Sequence, residues 1–151
     1  MALSDDIELL SHVPLFQGLD SDQLRLIAFG AEHRTVSAGQ ALFREKSPAE
    51  CAYVIARGRL ELSTLGRGGK PKVETVAERG TMLSELALVT MVERKYTAIA
   101  LEDCDVIRVT RALFHRLLEE YPEMAAVVQD RIRRSVASLV EGTAAMAHRF
   151  Q

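Results

Sequence analysis

The segment 80–98 places an acidic and a basic side chain nine residues apart around a predicted turn. A strand is expected to end at Leu83, and a short helix to begin at Ser84 or Glu85. The first N–H groups of a helix have no backbone partner and carry partial positive charge, so this turn suits an anion such as a phosphate. Arg94 supplies a planar donor fork for the same anion.

Glu85 needs a different role, because a carboxylate repels a phosphate placed directly on it. It fits as the acceptor of a hydrogen bond from a sugar hydroxyl close to that phosphate. The alternative is a capped surface helix, in which Glu85 complements the helix dipole and Arg94 forms a surface ion pair. Each residue alone favours this alternative, whereas their order and spacing favour a binding site.

Enzyme signatures are scarce in the rest of the sequence. Walker-type phosphate loops and nucleophile elbows are absent, so we predict no enzymatic activity and no cofactor. The four histidines pair with no cysteine or carboxylate at metal-ligand spacing, and we predict solvent-facing side chains and no metal site. They are His12, His33, His115 and His148. Cys51 and Cys104 are expected as reduced thiols in strands.

Three regions of the sequence, which differ in the spacing of their apolar and turn-forming residues, must position the segment 80–98. Residues 1–30 predict two short amphipathic helices, with Asp20 or Ser21 as the N-cap of the second. Residues 31–110 are divided by glycine and proline into some seven or eight short strands, with a hairpin over the glycine cluster 66–69. Such even spacing favours a jelly roll or small barrel over a βαβ fold.

Residues 111–151 predict helices, with a break at Pro122 and a long helix from about Glu123 to Ala147. Apolar residues of this helix recur at a heptad-like spacing, which predicts a seam that packs back on the strands as a lid or pairs with a second chain. The seam consists of Ala125, Val128, Ile132, Val136, Leu139 and Thr143. The predicted fold class is α+β, an antiparallel β-roll flanked by N-terminal and C-terminal helices.

Length and charge narrow the function classes. A chain of 151 residues without a composition break predicts a single domain over 1–151. The net charge of −2 argues against nucleic acid as the main partner, so no direct DNA binding is expected. Charges interrupt every apolar run well before the ~18 residues that a membrane span requires. Without a secretory signal pattern, a cytoplasmic location is expected.

The run Ser84-Glu85-Leu86-Ala87-Leu88, followed by Arg94 and Thr97, resembles the phosphate-binding cassette of cyclic nucleotide-binding domains. That cassette commonly reads Gly-Glu-Leu-Ala-Leu, a few variable residues, then an Arg followed by small residues and Thr. The segments 14–19, 38–43, 52–58 and 100–114 are similar to other turns and strands of the family. The resemblance covers residues 14 to the mid-130s.

The resemblance implies a purine 3′,5′-cyclic mononucleotide as ligand, with cAMP favoured over cGMP. Glu85 would accept a hydrogen bond from the ribose 2′-hydroxyl, and Arg94 would bind the cyclic phosphate. Leu86 and Ala87 would offer backbone N–H groups to that phosphate. The remaining candidate site residues are Val73 and Leu83, which would line the base and sugar pocket, and Ser84 and Lys95 beside the cassette positions.

Three positions depart from the family pattern. Ser84 stands where the family usually has Gly, which takes a positive φ or lets the ligand approach the backbone. Lys46 and Ser47 stand where a Gly-Asp pair is common, in a turn that is expected to be remote from the cassette. Lys95 replaces a small or hydroxyl residue. Ser84 therefore bears on affinity and Lys95 on base selectivity.

Two functions follow from the resemblance. The first is a stand-alone cyclic nucleotide sensor whose C-terminal helix relays binding to an effector protein, with a homodimer through that helix as a further possibility. The second is a fold that has lost its ligand and serves as a protein interaction module, with Ser84 as the mark of that loss.

Overall fold

The computed structural model describes the backbone of residues 3–141 and the side chains of residues 3–134. Within these limits the chain forms four α-helices, three short 3₁₀ turns and ten β-strands. The helices are α1 (Leu3–Ser11), α2 (Ser21–Gly30), α3 (Arg111–Glu120) and α4 (Pro122–Glu141). The 3₁₀ turns are Pro14–Phe16, Arg67–Gly69 and Glu85–Leu88. None of the described helices is long and apolar enough to cross a bilayer.

The strands pair antiparallel throughout, in two four-stranded sheets and one two-stranded ribbon. The first sheet has the order β1-β10-β4-β7, the second β2-β9-β5-β6, and the ribbon joins β3 to β8. The strands are β1 (Glu32–Val36), β2 (Ala41–Phe43), β3 (Pro48–Ala49), β4 (Cys51–Arg57), β5 (Leu60–Leu65), β6 (Pro71–Ala77), β7 (Met82–Leu83), β8 (Val92–Glu93), β9 (Thr97–Ala100) and β10 (Cys104–Thr110). This architecture confirms the predicted α+β fold with an antiparallel β-roll.

The chain changes sheets at Gly58, between β4 and β5. Gly58 has a φ of +91°, and a Cβ atom built there would lie 2.6 Å from Sγ of Cys104 and 2.8 Å from the carbonyl oxygen of Asp103. Both the left-handed backbone and the close approach of β10 therefore require glycine. The predicted hairpin over residues 66–69 is present as the β5–β6 pair.

Strand β4 of the first sheet is buried on both faces. One face of β4, including Ala52 and Val54, packs against the α-helices, whereas Cys51, Tyr53 and Ile55 face the interior of the β-roll between the two sheets. This double burial explains why the segment is apolar without alternation. Strands β3, β7 and β8 have only two residues each, too few to produce a periodic signal, which is why the sequence predicts fewer strands.

A capping box fixes the start of α2, and a buried carboxylate of α1 contacts a histidine of the first sheet. Asp20 is the N-cap of α2, as predicted, and forms a reciprocal capping box with Gln23. Asp6 of α1 is 2% exposed, and its carboxylate lies 2.7 Å from Nε2 of His33 on β1. His33 is exposed to solvent, in agreement with the sequence prediction, and its ring also contacts this buried carboxylate of α1.

Helix α4 begins at Pro122, one residue before the predicted start. Val128 is fully buried in the helical core, Ile132 packs partly against it, and Ala125 is half-buried. Met124 is also fully buried, although the heptad-like seam omitted it. The side chains of Val136 and Leu139, and the whole of Thr143 and Ala147, lie outside the described residues.

Candidate functional site

The cassette turn, Glu85–Leu88, follows directly on β7 at a residue with a left-handed backbone. Ser84 has φ 62° and ψ 46° and is 7% exposed. An L-residue in this region costs about 1–2 kcal/mol, which a glycine would avoid. Serine thus adopts here a positive φ, the conformation that glycine takes most readily.

The backbone N–H groups of the cassette turn are only partly free. The Ala87 N–H donates to the carbonyl oxygen of Ser84 at 2.9 Å. Within the described residues, the N–H groups of Glu85 and Leu86 have no backbone acceptor. Both the Leu86 and the Ala87 N–H groups are predicted to donate to a phosphate. The Leu86 N–H is free to do so, whereas the Ala87 N–H must first break its hydrogen bond to the carbonyl oxygen of Ser84.

Glu85 is half-buried at the start of this turn. Its surroundings raise the pKa of the carboxyl from 4.5 to about 7, because burial removes water from the charged form. Desolvation is the only cause of this raised pKa, so no neighbouring cation offsets it. Glu85 therefore does not form the surface helix cap of the alternative interpretation, and its carboxylate gains stability from any hydrogen-bond donor that enters the site.

Arg94 follows β8 and is 5% exposed, with its side chain inside the β-roll. Its Nη2 donates to Sγ of Cys51 at 3.3 Å, and its guanidinium carbon lies 4.5 Å from the ring centre of Phe43 and 5.3 Å from that of Tyr53. The Phe43 and Tyr53 rings are stacked, with centroids 6.0 Å apart. Arg94 is therefore held by a thiol and two aromatic faces, not by the surface ion pair of the alternative interpretation.

The charge of Arg94 is not balanced by a carboxylate in the described structure. Its Nη1 has no hydrogen-bond partner there, although it is shielded from solvent. Cation–π contacts contribute about 0.5–2 kcal/mol, whereas burial of an uncompensated charge costs several kcal/mol. The arrangement is electrostatically incomplete, and an anion at Nη1 would complete it.

The backbone of Arg94 is fixed by a second strained turn. The Arg94 N–H donates to the carbonyl oxygen of Ser47 at 2.8 Å, and the Lys46 N–H donates to the carbonyl oxygen of Arg94 at 2.7 Å. Lys46 has a φ of 70°. The expectation that this turn is remote from the cassette is wrong, because the β3–β8 ribbon brings it against Arg94.

The other predicted site residues occupy different surroundings. Leu83 is 1% exposed in the β-roll interior and pairs with Tyr53 across β4 and β7. Val73 lies on the edge strand β6 and is 53% exposed, and Lys95 is exposed beside Arg94. The structure thus places Leu83 in the β-roll interior and leaves Val73 and Lys95 at the surface. The contact of all three residues with a ligand stays a prediction.

Sequence reasoning missed the residues that hold Arg94. Cys51 was predicted only as a reduced thiol in a strand, and Phe43 and Tyr53 were assigned to no site, although all three contact Arg94. Phe43 is two residues after Ala41, and Tyr53 is two residues after Cys51. Residues two apart in a strand point to the same face, so this spacing could have placed both rings in the β-roll interior. The two rings also line an open cavity of about 640 Å³ against β1 and β2, which neither Glu85 nor Arg94 lines.

The described residues hold no group of three or more His, Cys, Asp or Glu side chains placed for a metal ion.

The model of the family described as "Cyclic nucleotide-binding domain" matches residues 33–121, which contain both Glu85 and Arg94. This chain belongs to the cyclic nucleotide-binding domain family. The family is a ligand-binding regulatory fold.

Solved members of the family superpose on the chain. The cyclic nucleotide-binding-like protein from Brucella abortus is 41% identical, covers 76% of this chain and 98% of its own, and has a TM-score of 0.71. The cAMP-bound PfPKA-R fragment is 26% identical, covers 76% of this chain and 41% of its own, and has a TM-score of 0.70.

A curated relative, the lysophospholipase NTE1 of Chaetomium globosum, is 28% identical over 80% of this chain. The match spans only 8% of that relative's length. The shared part is thus the cyclic nucleotide-binding domain, and the similarity extends to no other part of the larger protein.

Proposed function

We propose that this cyclic nucleotide-binding domain binds a purine 3′,5′-cyclic mononucleotide, cAMP ahead of cGMP. The observation that carries the proposal is the buried guanidinium of Arg94, which has one orphaned nitrogen and no carboxylate partner among the described residues. A cyclic phosphate bears a single negative charge and matches this donor fork. The cAMP bound to the related PfPKA-R fragment supports cAMP as the first ligand to test.

In this proposal Glu85 accepts a hydrogen bond from the ribose 2′-hydroxyl. The phosphate lies between Arg94 and the open N–H of Leu86, and the Ala87 N–H leaves the carbonyl oxygen of Ser84 to join it. Leu83 and the exposed side of Val73 cover the sugar and base. Lys95 remains at the rim, where it acts on base selectivity and not on the phosphate.

The signal leaves the site through the C-terminal helices. The first half of α4 supports this route, because Met124 and Val128 are fully buried and Nε of Arg131 donates to the carbonyl oxygen of Gln17 at 3.3 Å. We expect bound nucleotide to slow hydrogen exchange over 123–141 and an effector protein to recognise the altered helix. A second copy paired through this helix is the competing outcome, in which protection would be high with or without nucleotide.

Glu85 and Arg94 are assigned to ligand binding, so we propose a regulatory function without catalysis and without direct contact to DNA. Cys51 and Cys104 are both buried free thiols, which agrees with the reducing cytoplasm as the proposed location.

Calorimetric titration of the purified domain with cAMP and cGMP tests the proposal. Loss of one charge-assisted hydrogen bond costs about 1.5–3 kcal/mol, so Arg94→Ala should weaken binding by about 10- to 150-fold. Arg25→Ala, at an exposed position of α2, is the matched control and should bind as the wild type does. Glu85→Ala should weaken the binding of a 2′-deoxy ligand less than the binding of cAMP, because the 2′-deoxy ligand lacks the hydroxyl that Glu85 accepts from. If the wild-type domain binds neither nucleotide, the fold has lost its ligand and the interaction module replaces the sensor.

A further inference from the structure

Arg111, the first residue of α3, holds three separate backbone segments together. Its Nη1 donates to the carbonyl oxygens of Ala87 at 3.0 Å, Thr90 at 3.0 Å and Ala49 at 3.2 Å. Its backbone N–H donates to the carbonyl oxygen of Glu50 at 2.9 Å. One residue thus ties the start of α3 to the cassette turn and to the strand segment β3–β4.

The bonds from Arg111 reach the C-terminal end of the cassette turn and the residues just after it. The N–H groups of Val89 and Thr90 both donate to the carbonyl oxygen of Leu86 at 3.0 Å, which leaves the carbonyls of Ala87 and Thr90 as the terminal acceptors of the turn. A cation at these terminal carbonyls favours the turn in the same way as a C-terminal helix cap. The position of the turn is therefore coupled to the position of the Arg111 side chain.

The Arg111 guanidinium forms no ion pair with a carboxylate of the described residues, so its donors at Nη1 are directed to the backbone. Charge-assisted hydrogen bonds to carbonyls are stronger than neutral ones. Beyond Arg111, α3 buries Phe114 and Leu117 in the same core as Met124 of α4. The start of α3 thus has a packed connection to the helix that carries the proposed signal.

We infer that Arg111 is a positioning residue that couples the cassette turn to α3, so that an anion bound at Arg94 and Leu86 shifts α3 and α4 through the Arg111 side chain. This inference rests on the proposed function, because it assigns the regulation of the same site. It requires that the turn moves when the Ala87 N–H exchanges the Ser84 carbonyl for the phosphate. The carbonyl of Ala87 then carries that movement to Arg111.

The test compares Arg111→Met, which keeps the length of the side chain and removes its donors, with Arg111→Lys, which keeps the charge and three donors. Arg116→Met is the matched control, because Arg116 is an exposed residue of the same helix. cAMP affinity is measured by calorimetry, and hydrogen exchange is followed over 84–90 and 111–134 with and without cAMP. Near-ultraviolet circular dichroism establishes that each variant is folded.

The expected result is a loss of about tenfold in cAMP affinity for Arg111→Met, the value of one charge-assisted hydrogen bond. The cAMP-dependent slowing of exchange over 111–134 should disappear in this variant. Arg111→Lys should restore both, and Arg116→Met should change neither. In ligand-free Arg111→Met, the amides of Ala87, Val89 and Thr90 should exchange about tenfold faster than in the wild type.

A purely structural role would lower the melting temperature of Arg111→Met but leave its affinity and its cAMP-dependent exchange intact, and that result would overturn the inference. Arg111→Gln replaces Arg111→Met if the latter does not fold, with the same expected direction. If wild-type protein binds no cAMP, the proposed function fails. Hydrogen exchange over 84–90 without ligand then tests separately whether Arg111 holds the cassette turn. Unchanged exchange in Arg111→Met would show that Arg111 does not hold it.

Discussion

Two charged side chains are fully buried among the residues that the structure describes, Asp6 in the helical layer and Arg94 in the β-roll. Each leaves one atom without a hydrogen-bond partner in the described structure, Oδ1 of Asp6 and Nη1 of Arg94. Asp6 has an ionisable partner, His33 at 2.7 Å, which joins α1 to β1. Arg94 has only a thiol and two aromatic rings.

The difference separates a structural charge from a functional one. A buried charge whose partner lies within the chain stabilises the contact between two elements, and its removal leaves that partner unsatisfied. A buried charge without such a partner destabilises the ligand-free fold and is compensated only when a ligand supplies the opposite charge. By this criterion Asp6 belongs to the scaffold and Arg94 to the site.

Replacing Arg94 with an apolar residue of similar length gives the largest expected effect. Arg94→Met should reduce cyclic nucleotide affinity by up to about 150-fold, through loss of charge-assisted hydrogen bonds to the phosphate. The free energy of unfolding without ligand should stay within about 1 kcal/mol of wild type or rise, because an uncompensated buried charge is removed. Urea unfolding and calorimetric titration measure the two quantities. A large loss of stability in Arg94→Met would place Arg94 in the scaffold with Asp6.

Replacing Asp6 should produce the opposite pattern. Asp6→Ala should lower the free energy of unfolding by about 1–3 kcal/mol, because His33 loses its acceptor and a buried site is left empty. Cyclic nucleotide affinity should remain within about twofold of wild type, because the pair lies on the other side of the first sheet. A double-mutant cycle with His33→Ala isolates the interaction energy of the pair. An equal loss of affinity and stability in Asp6→Ala would contradict the division.

Glu85 resembles Arg94 in part, because it is half-buried and no neighbouring cation compensates its carboxylate. Its raised pKa means that the folded protein binds a proton more tightly than the unfolded chain does. The resulting stability is complete below pH 4.5 and is lost as the pH rises through about 7. Glu85→Gln should remove this pH dependence from ligand-free unfolding curves. A wild-type curve that is already flat between these pH values would show that Glu85 is solvated.

Bound nucleotide should favour the charged form of Glu85, whereas the ligand-free fold favours the protonated form. A 2′-hydroxyl that donates to the carboxylate favours its charged form, so binding should release a proton when the pH is below about 7. Affinity should increase about tenfold between pH 6 and pH 8, and calorimetry in buffers of different ionisation enthalpy measures the released proton. The 2′-deoxy ligand is the control, and the same pH dependence with that ligand would exclude the ribose contact.

The local elements of this fold could be predicted because their signals lie within a few residues. Asp20 precedes an amphipathic run and caps α2, and the glycine cluster 66–69 turns the β5–β6 hairpin. The strand, turn and helix order at Leu83 to Glu85 likewise follows from local pattern and from the family resemblance.

The contacts that decide the role of each buried charge join residues far apart in the sequence. Asp6 meets His33 across 27 residues, Arg94 meets Cys51 across 43, and Arg111 reaches Ala49 across 62. Only sheet pairing and helix docking bring these groups together, so no local pattern reports them. Asp6 does leave a weak signal, because it shares the buried face of α1 with Leu9 and Leu10. A charge on such a face requires a partner from another element.

Backbone strain likewise distinguishes the surroundings of Arg94 from those of Asp6. Within the described chain, the non-glycine residues with positive φ are Lys46 and Ser84, one on each side of the site and neither near Asp6. Strain and uncompensated charge therefore occur together at the functional site.

Ser84→Gly should raise the free energy of unfolding by less than about 1 kcal/mol, because relief of the left-handed strain is partly offset by the greater backbone freedom of glycine in the unfolded chain. Affinity should change by no more than about threefold, since serine already adopts the backbone conformation that the cassette requires. Lys46→Gly is the control for strain relief at the second turn. If Ser84→Gly instead improved affinity by more than about tenfold while Lys46→Gly did not, the serine side chain itself would obstruct the ligand, and Ser84 would mark a site in the course of losing its nucleotide.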